Sequence, residues 1–330
     1  MKILLVNVDS RWNMAIRKLY NYYHLTNDVK MIDLNLSAYP HNKTIKINAK
    51  EYDEVFVSNI FEINKDKVFI EGCDNIHWGG IGSINPALQL PKEIEETEPY
   101  YFEYEDTSYG FITRGCIRNC YFCKVPRYEG KLKAYNKIEN IVKHKKFVSL
   151  DNNIFAYDKC IDVFKWLYER NIRCDFNQGL DFRLANNDNM YWLTKLSYLK
   201  SEYIFAFDDI KYINMLNSKI DLLKKYIPKD WKIKFYIYVH PSMDIKDTIK
   251  RVEWCREHKC LPFIMKDFSC NTSLYKEFYT DYAGYCNMPS FFKNITFQDF
   301  LEKRYHYKKY NNPERIIRVL KIYEEEQNNK

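Results

Sequence analysis

No stretch of this chain approaches the roughly 18 consecutive apolar residues of a membrane span, which excludes a helical integral membrane protein. The opening MKILLVNVDS also lacks the basic flank and long apolar stretch of a secretory signal peptide. A soluble, cytoplasmic protein is therefore expected. No internal repeat or low-complexity linker is present, which excludes repeat architectures. Glycine is scarce, at nine residues, but beside abundant Lys, Asn, Ile and Tyr this reflects codon bias and carries no functional information. A strong charge of either sign is lacking as well: 51 Lys and Arg against 44 Asp and Glu leave +7. That mild excess is compatible with a phosphate-bearing partner and equally with none.

What is present is a chain of 330 residues, 46% hydrophobic, long enough for one large domain or two ordinary ones. Its ten cysteines, without a signal peptide, argue for a reducing compartment and for thiols available to metals rather than a disulfide framework.

Apolar runs of strand length, KILLVNV, VKMIDL and DEVFVSNIF, alternate with the helical pattern MAIRKLYNYY and with polar segments. They predict an open parallel α/β sheet over residues 1–100, with GGIGSINP, residues 79–86, its most flexible stretch. A ligand of such a sheet sits at the carboxyl ends of the strands. The acidic segment 90–108, with two prolines, marks a domain boundary. A clearer alternation follows: strands at TSYGFITRG, KFVSLDNN, IRCDFNQGLDFR, EYIFAFDD, KIKFYIYVH and CLPFIMKDF, with helical patterns between, among them NKIENIVKHKK and DKCIDVFKWLYERN. These six βα-type units over residues 101–280 are too few for a closed eight-stranded barrel, and each strand ends in polar residues, where βα folds carry their sites. Residues 281–330 are helical in pattern, aromatic and basic.

The densest chemistry lies in GFITRGCIRNCYFCKVPRYEG, where Cys116, Cys120 and Cys123 are spaced C-x3-C-x2-C. A structural zinc site wants four ligands, and no fourth thiol or histidine is near. A redox dithiol needs only Cys120 and Cys123. An iron–sulfur cluster is normally held by four thiolates, and three would leave one iron open to a substrate or cofactor.

The spacing resembles the signature of the radical S-adenosylmethionine (radical SAM) enzymes, C-x3-C-x-aromatic-C on the loop after the first strand of a six-unit partial βα barrel. Phe122 stands at the aromatic position, and the resemblance covers about residues 105–270. It implies a [4Fe-4S] cluster on Cys116, Cys120 and Cys123, with S-adenosylmethionine bound at the fourth iron and cleaved reductively to a 5'-deoxyadenosyl radical that abstracts hydrogen from substrate. It further implies an electron donor such as flavodoxin or ferredoxin. Carried over by position, Asp151 to Asn153 stand after the second strand without the usual glycine pair, facing the cofactor's amino group. Asn177, Gln178, Asp181 and Arg183 follow the third strand, with the Arg183 guanidinium suited to the cofactor's carboxylate. Asp208 and Asp209 follow the fourth, as acceptors for ribose hydroxyls. The same pairs also serve as turn formers and helix caps.

DFNQGLD and the first hundred residues also resemble a bacterial and phage sub-group in which a truncated cobalamin-binding-like domain precedes the radical core. The resemblance implies a flavodoxin-like amino-terminal domain, the partial (βα)6 barrel and a helical carboxyl-terminal extension. Cobalamin in its usual mode needs Asp-x-His-x-x-Gly, and the corresponding Asp9-Ser10-Arg11-Trp12-Asn13 has neither histidine nor glycine. A degenerate domain without cobalamin is expected. Two other readings stay open: a cobalamin-dependent radical SAM methyltransferase, and a non-catalytic zinc or nucleic-acid-binding module. A methylthiotransferase would want three more cysteines in the first domain, where only Cys73 occurs. Cys255, Cys260, Cys270 and Cys286 match no ligand spacing, and with Cys73, Cys160 and Cys174 are expected to be small buried residues. No second cluster is expected. The substrate class, whether nucleic acid, peptide or small molecule, is open, and the basic tail 303–321 suits either a phosphate or solvent.

Overall fold

The computed structural model describes residues 1–9, 12–36, 41–83, 89–305 and 312–328. Ser10 and Arg11, residues 84–86 of GGIGSINP and residues 306–311 of the basic tail lie outside the described residues. The chain divides into two compact units, Met1–Asn152 and Asn153–Lys330. Both are α/β, with parallel sheets. Among the described residues no helix is long and apolar enough to cross a membrane.

The first unit runs β1 (Lys2–Asn7), α1 (Met14–Tyr23), β2 (Asp28–Asp33), β3 (Ile45–Asn48), β4 (Glu54–Ser58), β5 (Val68–Glu71), β6 (Ile76–Gly79), α2 (Lys92–Glu95), β7 (Thr107–Gly110), β8 (Thr113–Arg114), α3 (Val125–Tyr128), β9 (Lys133–Ala134), α4 (Ile138–Ile141) and β10 (Lys146–Ser149). Its main sheet has the order β2-β1-β4-β6, all parallel. Leu4 and Val6 face one core with Val55 and Val57, while Ile3 and Leu5 face another with Ile16 and Leu19 of α1 and Ile94 of α2. A strand buried on both faces shows no alternation, which is why KILLVN reads as an unbroken apolar run.

The two faces are covered differently. One carries α1. The other is packed by Ile45, Ile47, Val68 and Ile70 from β3 and β5, which pair with each other as a two-stranded parallel sheet. The expected strands of this half form, and β3, β5 and β6 are additions. Each is four residues long and turns only alternate side chains inward, too weak a pattern to stand out in the sequence. Asn13 caps α1, its Oδ1 accepting from the Ile16 amide at 3.3 Å.

Strands β7 and β10 pair in parallel, Lys146 opposite Thr107. The helix expected over NKIENIVKHKK is cut short to the single turn of α4. The chain turns extended at Val142, where the Ser108 hydroxyl accepts the amides of Lys143 and His144 at 2.8 and 3.0 Å. These bonds to β7 replace the next helical turn.

The second unit runs α5 (Cys160–Glu169), β11 (Arg173–Phe176), α6 (Asn187–Lys195), β12 (Ser197–Tyr198), β13 (Tyr203–Ala206), α7 (Ile213–Tyr226), β14 (Ile233–Val239), α8 (Ile245–Glu257), β15 (Leu261–Lys266), α9 (Lys276–Cys286), α10 (Pro289–Asn294), α11 (Phe297–Tyr305) and α12 (Pro313–Asn328). Strands β11 and β12 pair in parallel, as do β13, β14 and β15 in that order, and a bridge from Leu180 to Phe205 links the two groups. Along β14, Ile233, Phe235, Ile237 and Val239 alternate inward. Phe207 and Phe235 are fully buried against Trp254 of α8, and Phe205 is fully buried against Phe235, each aromatic contributing about 1.5–3 kcal/mol of burial. The carboxyl-terminal helices close on Asp281 of α9, which is buried yet accepts from Tyr305 Oη at 2.7 Å and Arg315 Nε at 2.9 Å.

Candidate functional site

The three clustered cysteines sit on one loop whose base the structure pins tightly. Strand β8 enters the loop and β9 leaves it, and the two pair antiparallel, Thr113 with Ala134 and Arg114 with Lys133. Two glycines let the chain close there. Gly115 has φ +82°, and a Cβ at that position would lie 2.3 Å from the Lys131 carbonyl oxygen. Gly130, with φ +75°, offers its carbonyl to the Cys116 amide at 3.2 Å. No side chain but hydrogen fits the first position without moving backbone.

Two carboxylates complete the base. Glu129, its side chain 7% exposed, accepts from the Gly115 amide at 3.0 Å and the Asn152 side chain at 2.7 Å, and pairs with Arg114 at 3.2 Å. Asp151, just past β10, is buried. Its Oδ1 accepts the amides of Ile112 at 3.0 Å and Thr113 at 2.5 Å and the Thr113 hydroxyl at 2.8 Å, while Oδ2 accepts from Ser149 Oγ at 2.6 Å. Burial pushes its carboxyl above the ordinary value, against the pull of these donors. Asp151 and Asn152 were expected to face a cofactor, and within this unit they hold the approach to the cysteine loop. Glu129 was not anticipated at all. Its only sequence signal is its place before Gly130.

None of the ten cysteines is joined in a disulfide. Cys116, Cys120 and Cys123 are half-buried, as is Cys73, and the other six are buried. The Arg118 amide donates to Cys116 Sγ at 3.4 Å, and the Cys123 amide to the Cys120 carbonyl at 3.0 Å. Phe122 packs edge-on against Tyr121 at 5.3 Å. Among the buried six, desolvation pushes the thiols of Cys160 and Cys270 up to about 11 and that of Cys260 to about 12, and those of Cys174, Cys255 and Cys286 higher still. Such groups resist becoming the thiolates that metals need. Among the described residues no three His, Cys, Asp or Glu side chains are gathered closely enough to hold a metal ion. The loop thus carries three accessible thiols without converging them. In number, kind and accessibility they fit a thiolate-bound cluster.

The carboxyl edge of β1, β2 and β4, where an open sheet would bind a ligand, is laced together by its own side chains. Asn7 donates to Asp33 at 2.6 Å, and Asn13 to Asn7 and to Ser58, both at 2.9 Å. Asp9 accepts the amides of Ile60 and Phe61 at 3.1 and 2.9 Å.

In the second unit, Asn153 is 3% exposed and its Oδ1 has no hydrogen-bond partner among the described residues. Asn177, just past β11, accepts from Lys200 at 3.5 Å, and Lys200 pairs more closely with Asp175, at 2.7 Å. Arg183 turns back on Asp181 with two bonds, Nε to Oδ1 at 2.6 Å and Nη2 to Oδ2 at 2.9 Å, and lies over the Tyr212 ring at 4.4 Å. Asp208, past β13, accepts the Tyr238 amide at 3.0 Å. Burial raises its carboxyl to about 6, although the Tyr238 amide and the charges of Arg251 and Arg183 oppose the rise. Arg183, Asp181 and Asp208 therefore feel one another, whereas Asn177 belongs to the Lys200–Asp175 pair. Asp209 caps a short turn through the Lys211 amide, and Gln178 is exposed.

No protein-family model matches the chain, and no curated protein matches it.

Proposed function

We propose that this chain is an iron–sulfur enzyme of the radical SAM type, with a [4Fe-4S] cluster on Cys116, Cys120 and Cys123. The observation that carries the reading is the loop itself: three half-buried cysteines, none in a disulfide, at the C-x3-C-x2-C spacing, on a base held by Gly115, Glu129 and Asp151. When bound and reduced, such a cluster supplies the electron that cleaves S-adenosylmethionine to methionine and a 5'-deoxyadenosyl radical, which takes a hydrogen atom from substrate. The chain's part is to bind, orient and shield. Phe122 is the aromatic residue that the pattern requires. Within the second unit, Asn153, Asn177, Arg183 and Asp208 are the proposed contacts to S-adenosylmethionine. A ligand carboxylate at Arg183 would compete with Asp181 for the guanidinium fork. Asn153 offers a buried acceptor that lacks a donor among the described residues.

The fold that accompanies this reading is flavodoxin-like over residues 1–100 and a partial (βα)6 barrel over 101–280, with a helical extension. The parallel pairing of β7 with β10, of β11 with β12 and of β13 to β15, with α5 to α8 between strands, supports it. Ten cysteines without a disulfide suit a cytoplasmic protein supplied with electrons by a flavodoxin or ferredoxin.

The test is anaerobic reconstitution of wild type and a Cys120→Ala variant, with iron, sulfide and zinc measured, then 5'-deoxyadenosine after reduction by dithionite. Wild type is expected to hold about four irons per chain and to form product, and the variant to do neither. Zinc without iron in anaerobically purified protein overturns the reading. A full cluster that never cleaves S-adenosylmethionine, with or without candidate substrates, leaves an iron–sulfur protein and removes the radical chemistry.

A further inference from the structure

The first unit contains a two-chambered cavity that the cluster chemistry does not use. Its origin is topological. The connection from β4 to β6 passes through β5, which packs on the face opposite α1. On the α1 face, β4 and β6 are therefore left without a crossover helix of their own, and among the described residues α1 and the segment around Leu90 and Ile94 pack over them. A chamber of about 330 Å³ remains between Leu19 of α1 and the strand residues Phe56 and Trp78. Phe56 and His77 are cross-strand neighbours, and their rings stack at 4.6 Å and 19° to form a flat wall, with Tyr23 at 5.6 Å from Phe56. Glu54, Ser58 and Gln89 supply polar groups at its rim.

A second chamber, of about 290 Å³, adjoins the first and shares Ala15, Gly80, Gln89 and Leu90 with it. Its chemistry is ionic. Lys18 pairs with Glu95 at 3.8 Å, and Arg114 with Glu129 at 3.2 Å. Lys133, exposed, forms no ion pair among the described residues and leaves the chamber one positive charge in excess. Arg114 and Lys133 are opposed across β8 and β9, at the base of the cysteine loop. An aromatic, mostly apolar chamber joined to a cationic one matches a ligand with a planar ring at one end and an anion at the other. Each chamber is near the lower limit of about 300–1,000 Å³ for small-molecule pockets, so the two together suit a ring with its sugar and an attached phosphate.

We propose that the first unit binds a mononucleotide in this cavity, its base against the Phe56–His77 wall and its phosphate between Arg114 and Lys133. The site stands on the cavity alone and holds whether or not the loop carries a cluster.

The experiment is calorimetric titration of the full chain with AMP, GMP, CMP and UMP in turn, with adenosine and inorganic phosphate as fragments. Lys133→Glu and His77→Ala are the variants, both at exposed positions and checked by circular dichroism. At least one mononucleotide is expected to bind more tightly than its nucleoside or phosphate alone. Lys133→Glu should weaken the nucleotide by roughly tenfold or more and leave the nucleoside unchanged, since only the phosphate meets that charge. His77→Ala should weaken both. Failure of all four nucleotides to bind overturns the proposal. So does nucleotide binding that neither substitution weakens, which would place the nucleotide elsewhere in the chain.

Discussion

Replacing Asp151 with alanine tests whether the cysteine loop is held from a distance of 38 residues along the chain. The substitution removes the acceptor of two backbone amides, Ile112 and Thr113, at residues only 2% and 0% exposed. A buried amide left unpaired costs about 1–3 kcal/mol. The hydroxyls of Thr113 and Ser149 can rotate to other acceptors, and the variant no longer desolvates a carboxylate that burial already disfavours. The expected net loss is about 2–4 kcal/mol, concentrated at the loop base rather than spread over the unit. Native-state hydrogen exchange by mass spectrometry on peptides spanning residues 110–116 reads it directly. At about 1.4 kcal/mol per tenfold, exchange there should quicken roughly 30- to 800-fold, with the strands β1, β2 and β4 unchanged. The isosteric Asp151→Asn keeps one acceptor and should fall between. Exchange at the loop base within about threefold of wild type in the alanine variant would refute the anchoring role.

The two loop glycines separate in the same assay. Gly115→Ala should cost about 1–3 kcal/mol, because its Cβ meets the Lys131 carbonyl as well as a left-handed φ. Gly130→Ala, with open space around its Cβ, should cost only about 1 kcal/mol. Equal effects would mean the Lys131 contact yields freely. Asp208 gives a pH signature. The native chain keeps its proton up to about pH 6 and the unfolded chain releases it near 3.8, so this group's contribution falls as pH rises through that window, by about 1.4 kcal/mol per pH unit. Asp208→Asn should remove that decline in urea unfolding, and parallel wild-type and variant profiles would contradict the buried carboxyl. Brief alkylation of the native protein should label Cys116, Cys120, Cys123 and Cys73 before the six buried thiols, as peptide mapping would reveal. Early labelling of Cys174 or Cys286 would count against their burial.

The amino-acid sequence by itself determined the elements whose signals are local. The α1 helix over MAIRKLYNYY and the strands in KILLVNV, EYIFAFDD and KIKFYIYVH all follow from periodicity and side-chain type within a few residues. The cysteine spacing is of the same kind, since one loop carries it. Tertiary structure decided the rest. Whether Asp151 faces a ligand or pins Thr113, whether Arg183 is available or bound to Asp181, and whether the α1 face of β4 and β6 is covered depend on groups brought together by the fold. The short strands β3 and β5 belong with these, because two inward side chains apiece gain their meaning only from the apolar face of β1 and β4 that they cover. Local propensity acts over a helical turn or a strand pair, whereas desolvation and buried hydrogen bonds are properties of the packed whole.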